Sequence, residues 1–237
     1  TIVCAPLVLV VPLPARAAWP FALASMLVHF AYYVTLAGAY RRGDLSFAYP
    51  LMRGVAPLLV TLAGVAVLGE RLRANALTGI ALISFGIMLI AWFASGRHTA
   101  SAVRWAIANA AIIAGYTLID GAGARAAGNP WSYAFWLMFL EGIPFVGWIL
   151  WRHRGAAHTY LMRRWRRGML GGAASVAAYA IALWAMTRAP VAVVAALREV
   201  SVVFAAILGT VFLNERFGWR RLAGAASVAA GVAALRF

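Results

Sequence analysis

The amino-acid sequence predicts an all-α membrane protein, and three observations support this fold class. Of the 237 residues, 65% are hydrophobic and only 11% are charged, and the mean hydropathy of +0.85 is far above that of soluble domains. Polar residues form short clusters between apolar runs of roughly 20 residues, the length that a helix needs to cross a hydrocarbon core of about 30 Å. Strand-type alternation is absent, and backbone groups in lipid must be paired internally, so we expect a helical bundle.

The apolar runs give the order of the predicted helices. The first run is too short to span a bilayer, whereas the later runs are long enough. We therefore expect about eight and a half transmembrane helices in this chain. In chain order the runs are approximately Thr1–Leu13, Phe21–Tyr40, Leu45–Leu68, Ala74–Ala94, Trp105–Asp120, Trp131–Trp151, Met169–Thr187, Pro190–Leu213 and Arg221–Phe237.

An internal repeat with an offset of 145 residues divides the chain. A unit of five helices ends on the opposite side of the membrane, so a tandem copy must be inverted about an axis in the bilayer plane. We predict an inverted repeat of two five-helix units, the first at residues 1–95 and the second at residues 104–237. The identical pairs are Arg53 and Arg198, Gly64 and Gly209, Leu68 and Leu213, Glu70 and Glu215, Arg71 and Arg216, Gly79 and Gly224, and Gly86 and Gly231.

The same offset leaves the first repeat incomplete at its N-terminal side. The run Trp131–Trp151 projects back onto a segment that ends near Pro6, so we interpret Thr1–Leu13 as its remnant, and the partner of Trp105–Asp120 falls before residue 1. We therefore expect an N-terminally truncated form of a ten-helix protein whose gene encodes about 50 more residues, at about 20 residues per span plus loops. We also expect this chain to be unstable or inactive alone.

The strongly basic composition does not indicate a nucleic-acid partner. The net charge is +15, and all 21 basic residues are arginines. Most of them lie between the apolar runs, where basic residues set topology and meet lipid headgroups. The single Cys4 excludes an intrachain disulfide and a cysteine-based metal site. We expect membrane lipids and a small-molecule metabolite as partners, no metal or cofactor, and a multi-pass location in the cell (inner) membrane.

Two arginines inside the apolar runs are the strongest indication of a site. Arg53 and Arg198 each lie about eight residues into a predicted helix, roughly 12 Å from one end at about 1.5 Å per residue. A charge at that depth costs from about 2.5 to more than 10 kcal/mol if it faces lipid, so each must face a wet cavity or a partner. Either the two guanidiniums bind a carboxylate or phosphate of a substrate, or they form structural ion pairs or snorkel.

Other polar residues in the apolar runs complete the candidate site, and each has a structural alternative. Glu141 either carries a coupling proton or pairs with an arginine of another helix, because desolvation disfavours its charge. Asp120 is either a functional residue on the same helix face as Tyr116 or a residue that ends its helix near the membrane interface. The further substrate-binding candidates are Tyr49, Tyr116 and Tyr179, and the proton-coupling candidates are Glu141, Asp120 and Glu199.

Three more polar residues are interpreted as structural. His29 lies in the middle of a run, where a histidine is more often a hydrogen-bonded packing residue than a proton shuttle. Glu70 and Glu215 fall at helix ends in the repeated Leu-Gly/Asn-Glu-Arg segment, so we expect each to hold a turn or an interhelix contact.

The repeated segments resemble the EamA-type transporters of the drug/metabolite transporter superfamily. Residues 43–72, GDLSFAYPLMRGVAPLLVTLAGVAVLGERL, look like the family's fourth helix and the start of its fifth. Residues 189–217, APVAVVAALREVSVVFAAILGTVFLNERF, are similar to the ninth helix and the start of the tenth. The resemblance implies ten helices, an inverted five-plus-five repeat, a central cavity and transport.

The function expected from these observations is secondary transport of a small polar metabolite, anionic or zwitterionic, and not an enzyme activity. The repeat and the two embedded arginines favour this reading. Two alternatives remain: a lipid-headgroup carrier or flippase of the same fold, and a membrane-embedded enzyme that uses Glu141 or Asp120 with His29.

Overall fold

The structure is a computed structural model that describes residues 2–92, 99–152, 154–205, 207 and 219–235. Over these residues every regular element is a helix, which confirms the predicted all-α class. The helices are α1 Cys4–Val10, α2 Trp19–Arg42, α3 Leu45–Leu68, α4 Ala74–Trp92, α5 Ala100–Ala126, α6 Pro130–Arg152, α7 Arg154–Met186, α8 Val191–Arg198 and α9 Trp219–Ala234, with a 3₁₀ turn at Arg16–Ala18.

Four helical stretches in the described part of the chain are long and apolar enough to cross a membrane. Large apolar side chains stay exposed on these helices; Leu27, Phe30 and Leu62 are each 69% exposed. Such surfaces are unfavourable in water but match the hydrocarbon of a bilayer. The four stretches are Arg16–Arg42, Ser46–Leu68, Ala100–Ala126 and Arg163–Met186, and the shorter apolar helices are Ala74–Ile90 and Leu222–Ala234.

The chain forms two compact units, each made of two separate stretches of sequence. The first unit comprises Thr1–His29 and Ile119–Arg188, and the second comprises Phe30–Leu118 and Ala189–Phe237. Each unit therefore takes residues from both predicted repeats. The repeat boundaries at residues 1–95 and 104–237 stay a prediction.

In the second unit, α4 and α9 pack through glycines that belong to the repeat. Gly79 faces Gly231 and Gly86 faces Gly224, so the two helices cross in opposite directions. A Cβ at Gly86 would lie 2.6 Å from the carbonyl oxygen of Gly224, and one at Gly231 would lie 2.7 Å from that of Gly79. The Ser227 hydroxyl also donates to the carbonyl of Leu82, at 2.9 Å. Such a reciprocal, antiparallel pairing is what an inverted repeat predicts for equivalent helices.

The end of α3, where the repeated Leu-Gly-Glu-Arg segment lies, holds the start of α8. Gly69 ends α3 with a φ of 65°, a left-handed conformation that glycine adopts without strain. The next residue, Glu70, accepts hydrogen bonds from the backbone N–H groups of Val191 at 2.8 Å and Ala192 at 3.4 Å. A carboxylate at a helix N-terminus satisfies unpaired donors and complements the helix dipole. Glu70 therefore has a structural contact of the expected kind, whereas Glu215 lies outside the described residues.

The predicted uninterrupted helix Pro190–Leu213 is wrong at its centre. Helix α8 ends at Arg198, residues 199–200 form a turn, and residues 201–205 are helical again. No proline or glycine lies at this break. A run of apolar residues does not by itself indicate where a helix is interrupted, so the break was not predicted. The turn is closed by bonds of the i to i−3 type: Glu199 N–H to Ala196 O at 3.0 Å, Val200 N–H to Leu197 O at 3.2 Å, Val202 N–H to Glu199 O at 3.0 Å, and Val203 N–H to Val200 O at 3.0 Å.

Two other runs differ from the helices that were expected. The run Thr1–Leu13 gives only the short helix α1. Helix α7 begins well before Met169, and Arg164 interrupts it with φ −125° and ψ 16°. The arginine-rich start of α7 is too polar to be read as an apolar run, which explains why the sequence showed only its later part.

The glycine crossing of α4 and α9 predicts a stability effect. Replacing Gly86 by alanine should destabilise the protein by about 1–3 kcal/mol, the usual cost of overpacking, because the neighbouring atom is a backbone oxygen that cannot rotate away. Gly147→Ala is the matched control, since nothing lies within 4 Å of a Cβ at that helical position. Thermal unfolding in detergent measures both variants. Equal midpoints for the two would contradict the close crossing.

Candidate functional site

A buried ion pair joins two elements of the second unit. The Nε atom of Arg53, on α3, lies 2.5 Å from the Oε2 atom of Glu199, in the turn after α8. The side chains are only 16% and 4% exposed. The sequence had left open whether Arg53 faces a wet cavity or a partner, and the structure provides a partner. It comes from the other repeat and not from the neighbouring turn of α3.

The equivalent positions of the predicted repeat differ in one member of this pair. At the 145-residue offset, Arg53 is equivalent to Arg198, but Glu199 is equivalent to Gly54. A Cβ at Gly54 would lie 2.7 Å from the Cγ atom of Met88, so this position in α3 packs closely against α4. At this position the first predicted repeat has a glycine that allows close helix packing, and the second has a glutamate that pairs with Arg53. Two arginines share one carboxylate among these equivalent positions.

Arg198 contributes a second positive charge beside this carboxylate. It is half-buried, and its charge acts on Glu199 electrostatically. The expected pair of guanidiniums, Arg53 and Arg198, is therefore present near one acid.

Tyrosines surround the Arg53 guanidinium. Its Cζ atom lies 5.9 Å from the ring centre of Tyr49, one turn earlier on α3. Tyr116 and Tyr32 lie in the same region, and their rings meet edge to face with centres 5.8 Å apart. Tyr49 and Tyr116 were predicted from the sequence, whereas Tyr32 was not. We call Arg53, Glu199, Tyr49, Tyr32 and Tyr116 the Arg53 cluster.

Asparagine and threonine fix the helix that carries Tyr32. The Asn109 side-chain amide donates to the backbone carbonyl of Tyr32 at 3.1 Å and to the Thr35 hydroxyl at 2.9 Å. Asn109 is fully buried on α5. A buried amide with two acceptors holds α2 and α5 in register in this unit. These hydrogen bonds therefore fix the part of α2 that carries Tyr32, which belongs to the Arg53 cluster.

A second cluster of polar side chains surrounds Asp120 in the first unit. Asp120 is fully buried. Tyr133 donates to its Oδ1 atom at 3.0 Å, and Tyr179 donates to its Oδ2 atom. Ser25 is a further hydrogen-bond partner, and His29 acts on the carboxyl group electrostatically. We call these five residues the Asp120 cluster.

The expectation that Asp120 ends its helix near the membrane interface is wrong. Helix α5 continues to Ala126, and Asp120 is 0% exposed. Gly123, one turn later, makes room for its partner, because a Cβ there would lie 2.4 Å from the Tyr133 hydroxyl oxygen. In the sequence, Gly123 lies one turn after Asp120, and this glycine could have indicated that Asp120 has a buried partner.

His29 is part of this network. Its Nδ1 atom lies 3.0 Å from the carbonyl oxygen of Ser25 and 3.1 Å from the Ser25 hydroxyl. These two contacts tie the imidazole ring to the preceding turn of its own helix. The ring also meets Tyr179 edge to face, with centres 6.5 Å apart. His29 is hydrogen-bonded, as a packing histidine would be, and also lies next to an acid.

Glu141 lies outside both clusters. It is half-buried in the middle of α6, three residues before Pro144, which is inside the same helix. The structure therefore divides the predicted site residues into two groups and one remainder. Arg53, Arg198, Tyr49, Tyr116 and Glu199 come together in the second unit, and Asp120 and Tyr179 in the first.

Within the described residues, no group of three or more His, Cys, Asp or Glu side chains could hold a metal ion.

Comparisons with known proteins identify the architecture. A profile of the EamA-like transporter family matches residues 100–237, more than half of the chain. Twenty chains of solved structures match the fold. One, described only as the crystal structure of a protein, is 20% identical with a TM-score of 0.68, and the alignment covers 93% of this chain and 77% of that one. No curated protein matches. The resemblance to this family is thus confirmed, and residues 189–217 lie within the matched range.

Proposed function

The chain belongs to the EamA-like transporter family of the drug/metabolite transporter superfamily, and we propose that it moves a small anionic or zwitterionic metabolite across the cytoplasmic membrane. The family and the apolar helices make it a multi-pass membrane protein of the transporter type. The substrate class and its binding site are our proposal. The observation that carries it is the buried Arg53–Glu199 ion pair.

The charge of this region favours an anionic group on the substrate. Arg53 and Arg198 place two guanidinium groups beside the carboxylate of Glu199. A guanidinium binds carboxylate or phosphonate oxygens through parallel hydrogen bonds, and such bonds are strong where water is excluded. The hydroxyl groups of Tyr49, Tyr32 and Tyr116 add donors and acceptors at the same place.

A zwitterion fits the ion pair particularly well. Its carboxylate would bind Arg53 while its ammonium group binds Glu199, so the substrate would take the place of each partner in turn. No charge would then be left unpaired, which matters because an uncompensated buried charge costs about 3–5 kcal/mol. The turn at residues 199–200 supports this proposal, since transporters commonly place substrate sites at breaks in helices.

We also propose that Asp120 couples transport to protons, with Glu141 as the second candidate. Asp120 faces the hydroxyls of Ser25 and Tyr133 and the side chains of His29 and Tyr179. A carboxyl group with this many partners can exchange a proton with neighbouring groups and stay hydrogen-bonded in both states.

Substrate binding by Arg53 predicts an outcome that a structural role does not. Arg53→Ala should reduce uptake at least tenfold, but it also leaves Glu199 unpaired and should destabilise the protein by about 3–5 kcal/mol. The exchange of charges, Arg53→Glu with Glu199→Arg, restores a pair. We expect this double variant to recover thermal stability but not transport activity. Transport is measured as uptake into liposomes that contain the protein, with a panel of labelled amino acids, organic acids and phosphonates as substrates.

The control is Arg166→Ala, an exposed arginine outside the Arg53 cluster, which should leave uptake and stability unchanged. If uptake returns together with stability in the charge-exchanged variant, Arg53 is structural. The same liposomes separate the other activities. Chemical conversion without movement would indicate an enzyme, and movement of a labelled lipid without metabolite uptake would indicate a flippase.

Proton coupling predicts a difference between uphill uptake and exchange. Asp120→Asn should abolish uptake driven by a proton gradient and remove its pH dependence, while exchange of labelled for unlabelled substrate continues. Retained exchange shows that the variant is folded. Glu141→Gln is measured in parallel, and the variant that loses the pH dependence identifies the coupling acid. Unchanged pH dependence in both variants would indicate facilitated or exchange transport instead.

A further inference from the structure

A cavity of about 400 Å³ lies in the first unit, at the ends of two apolar helices. Its volume is within the usual range for sites that hold small ligands. The spans Ala100–Ala126 and Arg163–Met186 both end beside it. The residues that line it are Ala124, Arg125, Gly128, Asn129, Pro130, Trp131, Trp184, Thr187 and Arg188.

Two arginines give this cavity a positive charge. The Nε atom of Arg125 donates to the carbonyl oxygen of Met186 at 2.9 Å, which fixes the guanidinium across the ends of α5 and α7. The Arg188 guanidinium lies over the ring of Trp184, 5.5 Å from its centre. None of the described residues around the cavity is acidic. The two guanidiniums are therefore held in position on the lining of the cavity.

Two tryptophans form an aromatic wall of the same cavity. The rings of Trp131 and Trp184 are stacked, with centres 6.5 Å apart and an angle of 23° between their planes. The connection between α5 and α6 is shaped by Gly128, which has a φ of 74°, and by Asn129, whose side chain accepts a bond from the backbone N–H of Trp131 at 3.0 Å. Tryptophan and arginine at the end of a membrane helix mark the depth of the lipid headgroups.

We propose that this cavity binds the phosphate headgroup of an anionic lipid. The two arginines pair with the phosphate oxygens, as guanidiniums do with phosphate generally. The two indole rings pack against the glycerol and the start of the acyl chains, because tryptophan prefers this boundary. Basic pockets between membrane helices are known to recognise such headgroups. The residues that line this cavity include none of the Arg53 or Asp120 clusters, and the proposal does not depend on what the protein transports.

The chain contains a matched control for this proposal. Arg166 lies over the ring of Trp165, with the same 5.5 Å distance that separates Arg188 from Trp184. Both members of this control pair are exposed, and neither lines the cavity. A change at Arg166 therefore removes a similar arginine–tryptophan contact without touching the proposed site.

The test titrates the purified full chain in detergent with short-chain phosphatidylglycerol and follows thermal unfolding and tryptophan fluorescence. We expect saturable stabilisation by phosphatidylglycerol, and much less by phosphatidylcholine of the same chain length. Arg188→Gln and Arg125→Gln should each weaken the apparent affinity about fivefold, the effect of one arginine near a headgroup. Arg166→Gln should not change it, and Arg188→Lys should recover part of the loss.

Three outcomes would overturn the proposal. The first is equal stabilisation by phosphatidylcholine, which would mean that the net negative charge of the headgroup does not contribute to binding. The second is equal stabilisation by inorganic phosphate at the same concentration, which would make this a site for free anions. The third is an Arg125→Gln, Arg188→Gln double variant that is folded and binds phosphatidylglycerol as the unaltered protein does.

Discussion

The Arg53–Glu199 ion pair constrains how the helices of the second unit can be arranged. Each charge would be costly inside a membrane without its partner, and removal of one partner leaves the other uncompensated. Helix α3 and the turn after α8 must therefore stay close whenever no ligand is bound. An anion that binds Arg53 has to weaken this contact, so the group that would recognise substrate is also a group that holds the empty protein together. Such competition links binding to a change in helix packing.

Close backbone packing supports this pair from both sides. Glu70 caps the start of α8, and Gly54 allows α3 to pack against α4. The glycine crossing then fixes α4 against α9. The turn at residues 199–200 is the part of this assembly with the least regular hydrogen bonding, and it carries the acid. A movement of Glu199 away from Arg53 could therefore occur within the turn while the glycine contacts are kept.

The sequence allowed the class of the fold and part of the site to be predicted, for reasons that depend on the kind of signal. Composition and run length are enough for an all-α membrane protein, and an arginine in an apolar run stands out wherever its partner lies. The partner itself could not be predicted, because Glu199 is distant in the chain and the apolar pattern does not indicate which helices pack together. Asp120 was misplaced because the apolar run was taken to end there, whereas α5 continues to Ala126. The break after α8 lacks the proline or glycine that usually marks one.

Competition between Glu199 and the substrate is tested most directly by the affinity of the Glu199→Gln variant for a monoanion that has no amino group. The glutamine keeps the shape of the side chain but no longer competes for Arg53. We therefore predict tighter equilibrium binding, by about tenfold or 1.4 kcal/mol. Weaker binding, to the extent seen when Arg53 is replaced by alanine, would contradict the account, because Glu199 would then support the anion site instead of competing for it.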